Sequence, residues 1–164
     1  MKIRPINVKD IPEVLQIMLD NWDGVMAEHH SVEIVRKFRS EVSADWLKRQ
    51  MDWKRIFVVE KDDRIVATGA LADFGQPGNP KLCVSQFFVS SHLHGRGIGK
   101  CLLKYLTETA KKDGTQQLHV PSSRNAIPFY KSAGFVTDPV QTDAADEITW
   151  MSMDISSPGA SDKS

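Results

Sequence analysis

His94-Gly95-Arg96-Gly97-Ile98-Gly99-Lys100 joins two segments of different period. Before it, Leu82-Cys83-Val84-Ser85-Gln86-Phe87-Phe88-Val89 has the short apolar and aromatic run of a strand. After it, Ile98, Cys101, Leu102, Tyr105, Leu106, Thr109 and Ala110 recur at helical spacing to about Asp113, and Gly114 supplies a stop. Glycines at 95, 97 and 99 let the backbone turn tightly and approach a ligand without Cβ obstruction. The first amides of a helix lack internal partners, and its N-terminus carries partial positive charge. Arg96 and Lys100 add two cations, so the segment predicts an anion pocket suited to a pyrophosphate.

Two phosphate-binding patterns fail here. The P-loop needs Ser or Thr after its lysine, and Cys101 follows Lys100. The dinucleotide pattern Gly-x-Gly-x-x-Gly meets Lys100 or Leu102 at its third glycine, and no acidic residue opens the next strand.

Working outward, Ile3 to Ile6 reads as a strand, with Asn7 or Asp10 capping a helix whose apolar residues are Ile11, Val14, Leu15, Met18, Leu19 and Trp22. Gly24 ends it. Ser31 opens a second helix carrying Val32, Val35 and Phe38, and Ser43 caps a third with Trp46, Leu47 and Met51. Ile56 to Glu60 and Arg64 to Ala72 form a hairpin around Asp62-Asp63. Gly75 to Pro80 is a loop. Gln117 to Pro121 is a strand, Asn125 to Ala133 a short helix with Pro128 in its first turn, and Ile148 to Ile155 the last strand. Ser156 to Ser164 reads as a frayed tail, leaving one domain over 1–155. The order of elements predicts an α/β (α+β) fold, a mixed sheet covered by helices.

Composition narrows the class. Lys plus Arg and Asp plus Glu each number 21, so the net charge is zero, which argues against a dedicated nucleic-acid binder. Cys83 and Cys101 form no zinc or redox spacing and read as two buried thiols. The opening residues hold no signal-like apolar run and no stretch reaches membrane-span length. The expectation is a cytoplasmic protein with no membrane partner.

Phe87-Phe88-Val89 followed by His94-Gly95-Arg96-Gly97-Ile98-Gly99 resembles the acetyl-CoA signature of the GNAT superfamily of N-acetyltransferases, Arg/Gln-x-x-Gly-x-Gly/Ala. Asn125-Ala126-Ile127-Pro128-Phe129-Tyr130-Lys131-Ser132-Ala133-Gly134-Phe135 is similar to the family's second block, in the same order and separation. His94 departs from the family's Arg or Gln. The resemblance implies a mixed, mostly antiparallel twisted sheet of about six to seven strands, about four to five flanking helices, and a splayed pair of parallel central strands. It implies acetyl-CoA as co-substrate, bound by Phe87, Phe88, Val89, His94, Gly95, Arg96, Gly97, Ile98, Gly99, Lys100 and Asn125. Backbone groups near Phe87 and Val89 would bind the pantetheine amides, and an amide near Phe88 or Val89 would polarise the thioester carbonyl. Tyr130 would donate the proton that the departing thiolate takes.

The base that frees the amine is not legible. The strand where the family often carries a carboxylate has none, leaving Glu28, His29, His30, Asp73, His119 or water. Glu28, His29 and His30 lack metal-ligand spacing, so no metal is expected. Trp22 and Trp46 lie on elements that roof the family's acceptor site, and Asp138, Asp143, Asp146 and Glu147 make the region before the last strand acidic. The resulting expectation is direct acetyl transfer to a primary amine, a small molecule ahead of a protein amine. A non-catalytic acyl-CoA-binding regulatory module is the alternative, and a homodimer is left open.

Overall fold

Strand β2 (Arg55–Lys61) shows how the sequence divides two cores in this computed structural model, which describes residues 1–156. Its side chains alternate between the sheet faces. Phe57 and Val59 join one buried cluster, and Ile56 and Val58 join the other. The first cluster is completed by Ile98, Leu102, Leu103, Leu106 and Ala110 of helix α5 (Ile98–Lys112). The second is completed by Ile11, Val14, Ile17 and Met18 of α1 (Ile11–Asp23) and Leu47 of α4 (Ala44–Met51).

Seven strands form one sheet in the order β1-β2-β3-β4-β5-β7-β6. They are β1 (Lys2–Pro5), β2, β3 (Arg64–Asp73), β4 (Leu82–Val89), β5 (Gln117–Ser122), β6 (Val136–Asp143) and β7 (Ile148–Asp154). The remaining helices are α2 (Val25–His29), α3 (Val32–Arg39) and α6 (Ile127–Ser132). All neighbouring strands run antiparallel except β4 and β5. That parallel pair meets only at Cys83 and His119, so the expected splayed centre is present.

Local chemistry explains the boundaries. The Asn7 side chain accepts from the Lys9 amide, and Asp10 returns a bond from the Asn7 amide, a reciprocal cap that turns β1 into α1. Ser31 and Ser43 cap α3 and α4 through the Ile34 and Trp46 amides. Pro128 falls in the first turn of α6.

The structure corrects several sequence expectations. Val25–His29 is a short helix that the sequence reading did not contain, because Gly24 ends α1 without ending helical structure. Val136–Asp143 is a strand that the sequence reading did not contain. Cys101 is exposed, because α5 buries the stripe through residues 98, 102, 103, 106 and 110 and leaves 101 outside it. Val32 is exposed for the same reason, α3 burying Ile34 instead. Of the expected tail, residues 157–164 lie outside the described residues.

Candidate active site

The divergence of β4 and β5 opens a cleft of about 770 Å³, within the range of small-molecule sites. A bulge in β4 shapes its floor. Register with β3 slips between Thr68 and Ala70, and Gln86 opposite stands at φ 49°, a left-handed conformation. Gly69 lies close under its neighbours at this bulge. A Cβ there would meet Phe87 Cδ2 at 3.0 Å, and Leu102 Cδ2 and Leu106 Cδ1 at 3.2 Å.

Past the bulge, the ladder decides which backbone groups face the cleft. Ser90 N donates to Val66 O at 2.8 Å, and Val89 is paired with Ala67. Successive residues of an antiparallel ladder turn their hydrogen-bonding groups to alternate sides. Val89 therefore turns its N–H and C=O toward the β4/β5 gap, whereas Phe88 spends its own on β3. The Val89 carbonyl accepts from Asn21 Nδ2 and from His94 Nε2, each at 2.9 Å. Its N–H remains for a ligand. His94 thus fastens the end of β4, which explains what this histidine does where the family has Arg or Gln.

At the start of α5, Gly95 and Gly97 adopt φ 80° and 83°, and a Cβ on either would meet nothing within 4 Å. The two glycines are needed for conformation and leave an open cradle at the helix N-terminus, consistent with the anion of a pyrophosphate. Phe87, Phe88, Val89, His94, Gly95, Gly97, Ile98, Gly99, Lys100, Asn125 and Tyr130 line the cleft; Arg96 is exposed and does not. Asn125 Oδ1 is buried without a hydrogen-bond partner.

Tyr130 is 4% exposed. Phe87, Phe129 and Phe135 hold its ring edge-on at centroid distances of 6.1, 5.2 and 5.5 Å. Burial pushes its phenol well above the usual range, so the hydroxyl stays protonated and can donate. Burial also pushes the Cys83 thiol up to about 12, so the strand cysteine is no nucleophile near neutral pH.

Of the five candidate bases, His30 alone lines this cleft. Glu28 and His29 are exposed, and His29 Nδ1 donates to Val25 O, away from His30. Asp73 accepts the Gly75 and Lys81 amides, which hold its carboxyl below the usual range, and so fastens its own loop. His119 sits in the one β4–β5 pairing, where burial lowers its pKa. His30 Nδ1 lies 3.1 Å from Glu147 Oε1, and its Nε2 is buried without a partner.

Trp22 and Trp46 both line the cleft, Trp22 stacking on Phe38 at 5.6 Å. The acids of the region before the last strand are engaged within the protein. Asp138 and Asp143 accept amides of their own turns, Asp146 pairs with Lys37 at 2.7 Å, and Glu147 pairs with His30. Only Asp146 and Glu147 of the four reach the cleft, beside Glu41. Sequence reading missed Lys54, which lines the opposite wall. Its Nζ donates to Ser85 Oγ at 3.1 Å and Gln86 Oε1 at 2.7 Å and lies over the Trp53 and Phe74 rings. Burial lowers its pKa to about 8. No local sequence pattern marks it.

A family model described as an acetyltransferase (GNAT) domain matches residues 26–157. Glucosamine 6-phosphate N-acetyltransferase of Trypanosoma brucei brucei is 27% identical over 95 residues, 56% of this chain and 65% of that protein, so the match spans less than two thirds of that relative. The solved structure of PaiA N-acetyltransferase from Thermoplasma acidophilum, in complex with coenzyme A, superposes with a TM-score of 0.79 at 18% identity, covering 93% of this chain and 98% of that one. Ribosomal-protein-alanine N-acetyltransferase from Brucella melitensis superposes with a TM-score of 0.69 at 21% identity, covering 94% and 99%. These two likenesses establish the fold.

Proposed function

The chain belongs to the GNAT acetyltransferase family, and from that premise we propose that it transfers the acetyl group of acetyl-CoA to the nitrogen of a small primary amine. One observation carries the reading: a single cleft joins the open glycine turn before α5, the bulged end of β4 and the buried Tyr130. The pyrophosphate sits on the α5 amides beside Lys100, with Arg96 adding charge from outside the cleft. The pantetheine arm runs along the β4/β5 gap, where Asn125 Oδ1 is unpartnered. Val89 N–H polarises the thioester carbonyl, and one such donor is worth roughly 3–4 kcal/mol in the transition state.

The amine lone pair forms the N–C bond, the C–S bond breaks, and the nitrogen releases a proton to solvent as the neutral amide forms. The thiolate takes the Tyr130 proton, and solvent later restores it. Attack is direct within a ternary complex, since Cys83 stays protonated. The walls of Trp22, Phe38 and Trp46 enclose an acceptor of small-molecule size ahead of a protein amine. We assign the reaction to residues 1–155 and to the cytoplasm.

The test is thiol release from acetyl-CoA with a panel of amines. Amine-stimulated release supports transfer. Tight acetyl-CoA binding with no stimulated release by any amine refutes it in favour of a binding module.

A further inference from the structure

Acetyl transfer needs an unprotonated amine, yet an aliphatic amine is mostly ammonium at neutral pH. The β4 wall carries no carboxylate to remove that proton. The helical wall carries a buried imidazole with one nitrogen engaged and one free. His30 lines the cleft, and its side chain is 3% exposed. Nδ1 lies 3.1 Å from Glu147 Oε1, and Nε2 has no hydrogen-bond partner. A carboxylate only accepts, so Nδ1 carries the hydrogen, and in the neutral ring the lone pair lies on Nε2. A buried imidazole nitrogen without a partner is costly unless a ligand completes it.

Glu147 is itself held for this purpose. It accepts the Ser31 amide at 3.0 Å, lies 3.5 Å from Arg124 Nη1 and stands at φ 58°, unusual for a non-glycine residue. These hydrogen bonds and the Arg124 charge keep its carboxyl below the usual range, so it stays ionised beside His30. The residues joined here are 117 positions apart. The groups nearest the ring are the Glu147 carboxylate, the Arg124 guanidinium 3.5 Å from that carboxylate and the Trp22 ring at 6.5 Å, with the Asp146–Lys37 pair next along the β6–β7 turn.

We propose that His30, oriented by Glu147, is the general base that takes the proton from the acceptor ammonium. This rests on the acetyl-transfer reading. The bound ammonium gives one proton to His30 Nε2, directly or through one water, and its lone pair then attacks the thioester carbon. Glu147 stabilises the imidazolium, which later loses its proton to solvent. Tyr130 separately protonates the departing thiolate, so the two proton transfers use different side chains.

The test has two readouts. In ¹⁵N-histidine-labelled free protein, with the signal assigned through His30→Gln, His30 is expected as the Nδ1–H tautomer with a bare Nε2. With the best amine of the panel, His30→Gln should lower kcat by about 10²–10⁴-fold and abolish the acid limb of the kcat profile, at unchanged acetyl-CoA affinity. Glu147→Gln should lower kcat less and weaken the tautomer preference. If His30→Gln is too unstable to assay, Glu147→Gln and the wild-type tautomer decide. An Nε2–H tautomer, or wild-type kcat and pH profile in a folded His30→Gln, overturns the proposal. No amine-stimulated release by wild type instead refutes acetyl transfer itself, and this assignment with it.

Discussion

Replacing Tyr130 by Phe and by Ala separates the chemistry of this side chain from its packing. Three aromatic rings hold Tyr130 edge-on at 5.2–6.1 Å. Each such pair contributes about 0.5–1.5 kcal/mol beyond burial, and all three survive in Tyr130→Phe. That variant should therefore melt within ~3 °C of wild type, taking about 2–4 °C per kcal/mol for a chain of this size. Tyr130→Ala empties a buried site and should cost about 3–5 kcal/mol, or roughly 6–20 °C. The catalytic ledger runs the other way. Loss of a positioned proton donor costs about 10²–10⁴-fold in kcat, which is roughly 3–5 kcal/mol of barrier. Tyr130→Phe should show that loss at unchanged acetyl-CoA affinity. Because burial holds the phenol protonated, wild-type kcat should show no basic limb from Tyr130 between pH 7 and 10. The assays are thermal melts, acetyl-CoA titration and the thiol-release rate against pH. A Tyr130→Phe enzyme with wild-type kcat would refute the donor role, and one melting as low as Tyr130→Ala would refute the packing account.

The cradle glycines should divide by conformation. Gly97→Ala places a side chain at φ 83° and should cost about 1–2 kcal/mol and weaken acetyl-CoA binding, whereas Gly99→Ala should leave the melting temperature nearly unchanged, because its φ is ordinary and its Cβ would sit 3.4 Å from Phe129 and Val89. Asp10, 4% exposed, accepts from Arg4 at 2.7 and 3.0 Å, and that pairing holds its carboxyl below the usual range. Its stabilisation is present above the unfolded pKa near ~4 and is lost as pH falls through the lower folded value. Urea titrations should find Asp10→Asn destabilised by about 3 kcal/mol at pH 7, with the gap to wild type closing in acid. Lys54 gives the same slope in an alkaline window, although here burial disfavours its charged form. Its folded pKa of about 8 lies below the unfolded 10.5, so wild-type stability should rise relative to Lys54→Met between those pH values, by about 1 kcal/mol after allowance for its partial exposure. A flat difference across that window would remove the desolvated ammonium from the account.

What the sequence made legible is what local periodicity and punctuation encode. Leu82–Val89 and the Ile98 start of α5 coincide with the reading, because a full apolar strand and a one-faced helix each carry many residues of signal. Ser31 and Ser43 cap the helices they were assigned. Helix α2 escaped because its five residues bury only Met26, too few to show a period. Strand β6 escaped because Pro139 interrupts it and Val136 and Val140 face solvent, as an edge strand allows. Gly69 was readable in retrospect, since a lone glycine within an apolar strand signals a close approach. The His30–Glu147 pair was not, because nothing local relates residues 117 positions apart.

The zero net charge hides a polarised cleft. On the sheet side, Lys54 has only neutral hydrogen-bond partners, and one of them is Gln86 at the bulge. An ammonium brought within ~5 Å of Nζ would meet about 3 kcal/mol of repulsion at an effective dielectric of ~20. Away from Lys54, the helices and the β6–β7 turn supply Glu41, Asp146 and the His30–Glu147 pair. On the proposed reading, a cationic acceptor would turn its nitrogen away from Lys54, and a base beside His30 would be better placed than one on β4. Gln86→Glu tests this asymmetry directly. It keeps the left-handed residue nearly isosteric and gives Lys54 a carboxylate, so the titration of Lys54 should move up from about 8. If proton removal belongs to His30, that variant should leave kcat and its acid limb as in wild type. A rise in kcat with a new acid limb would show that β4 can host the base, and would move the proton-transfer assignment from the helices to the sheet.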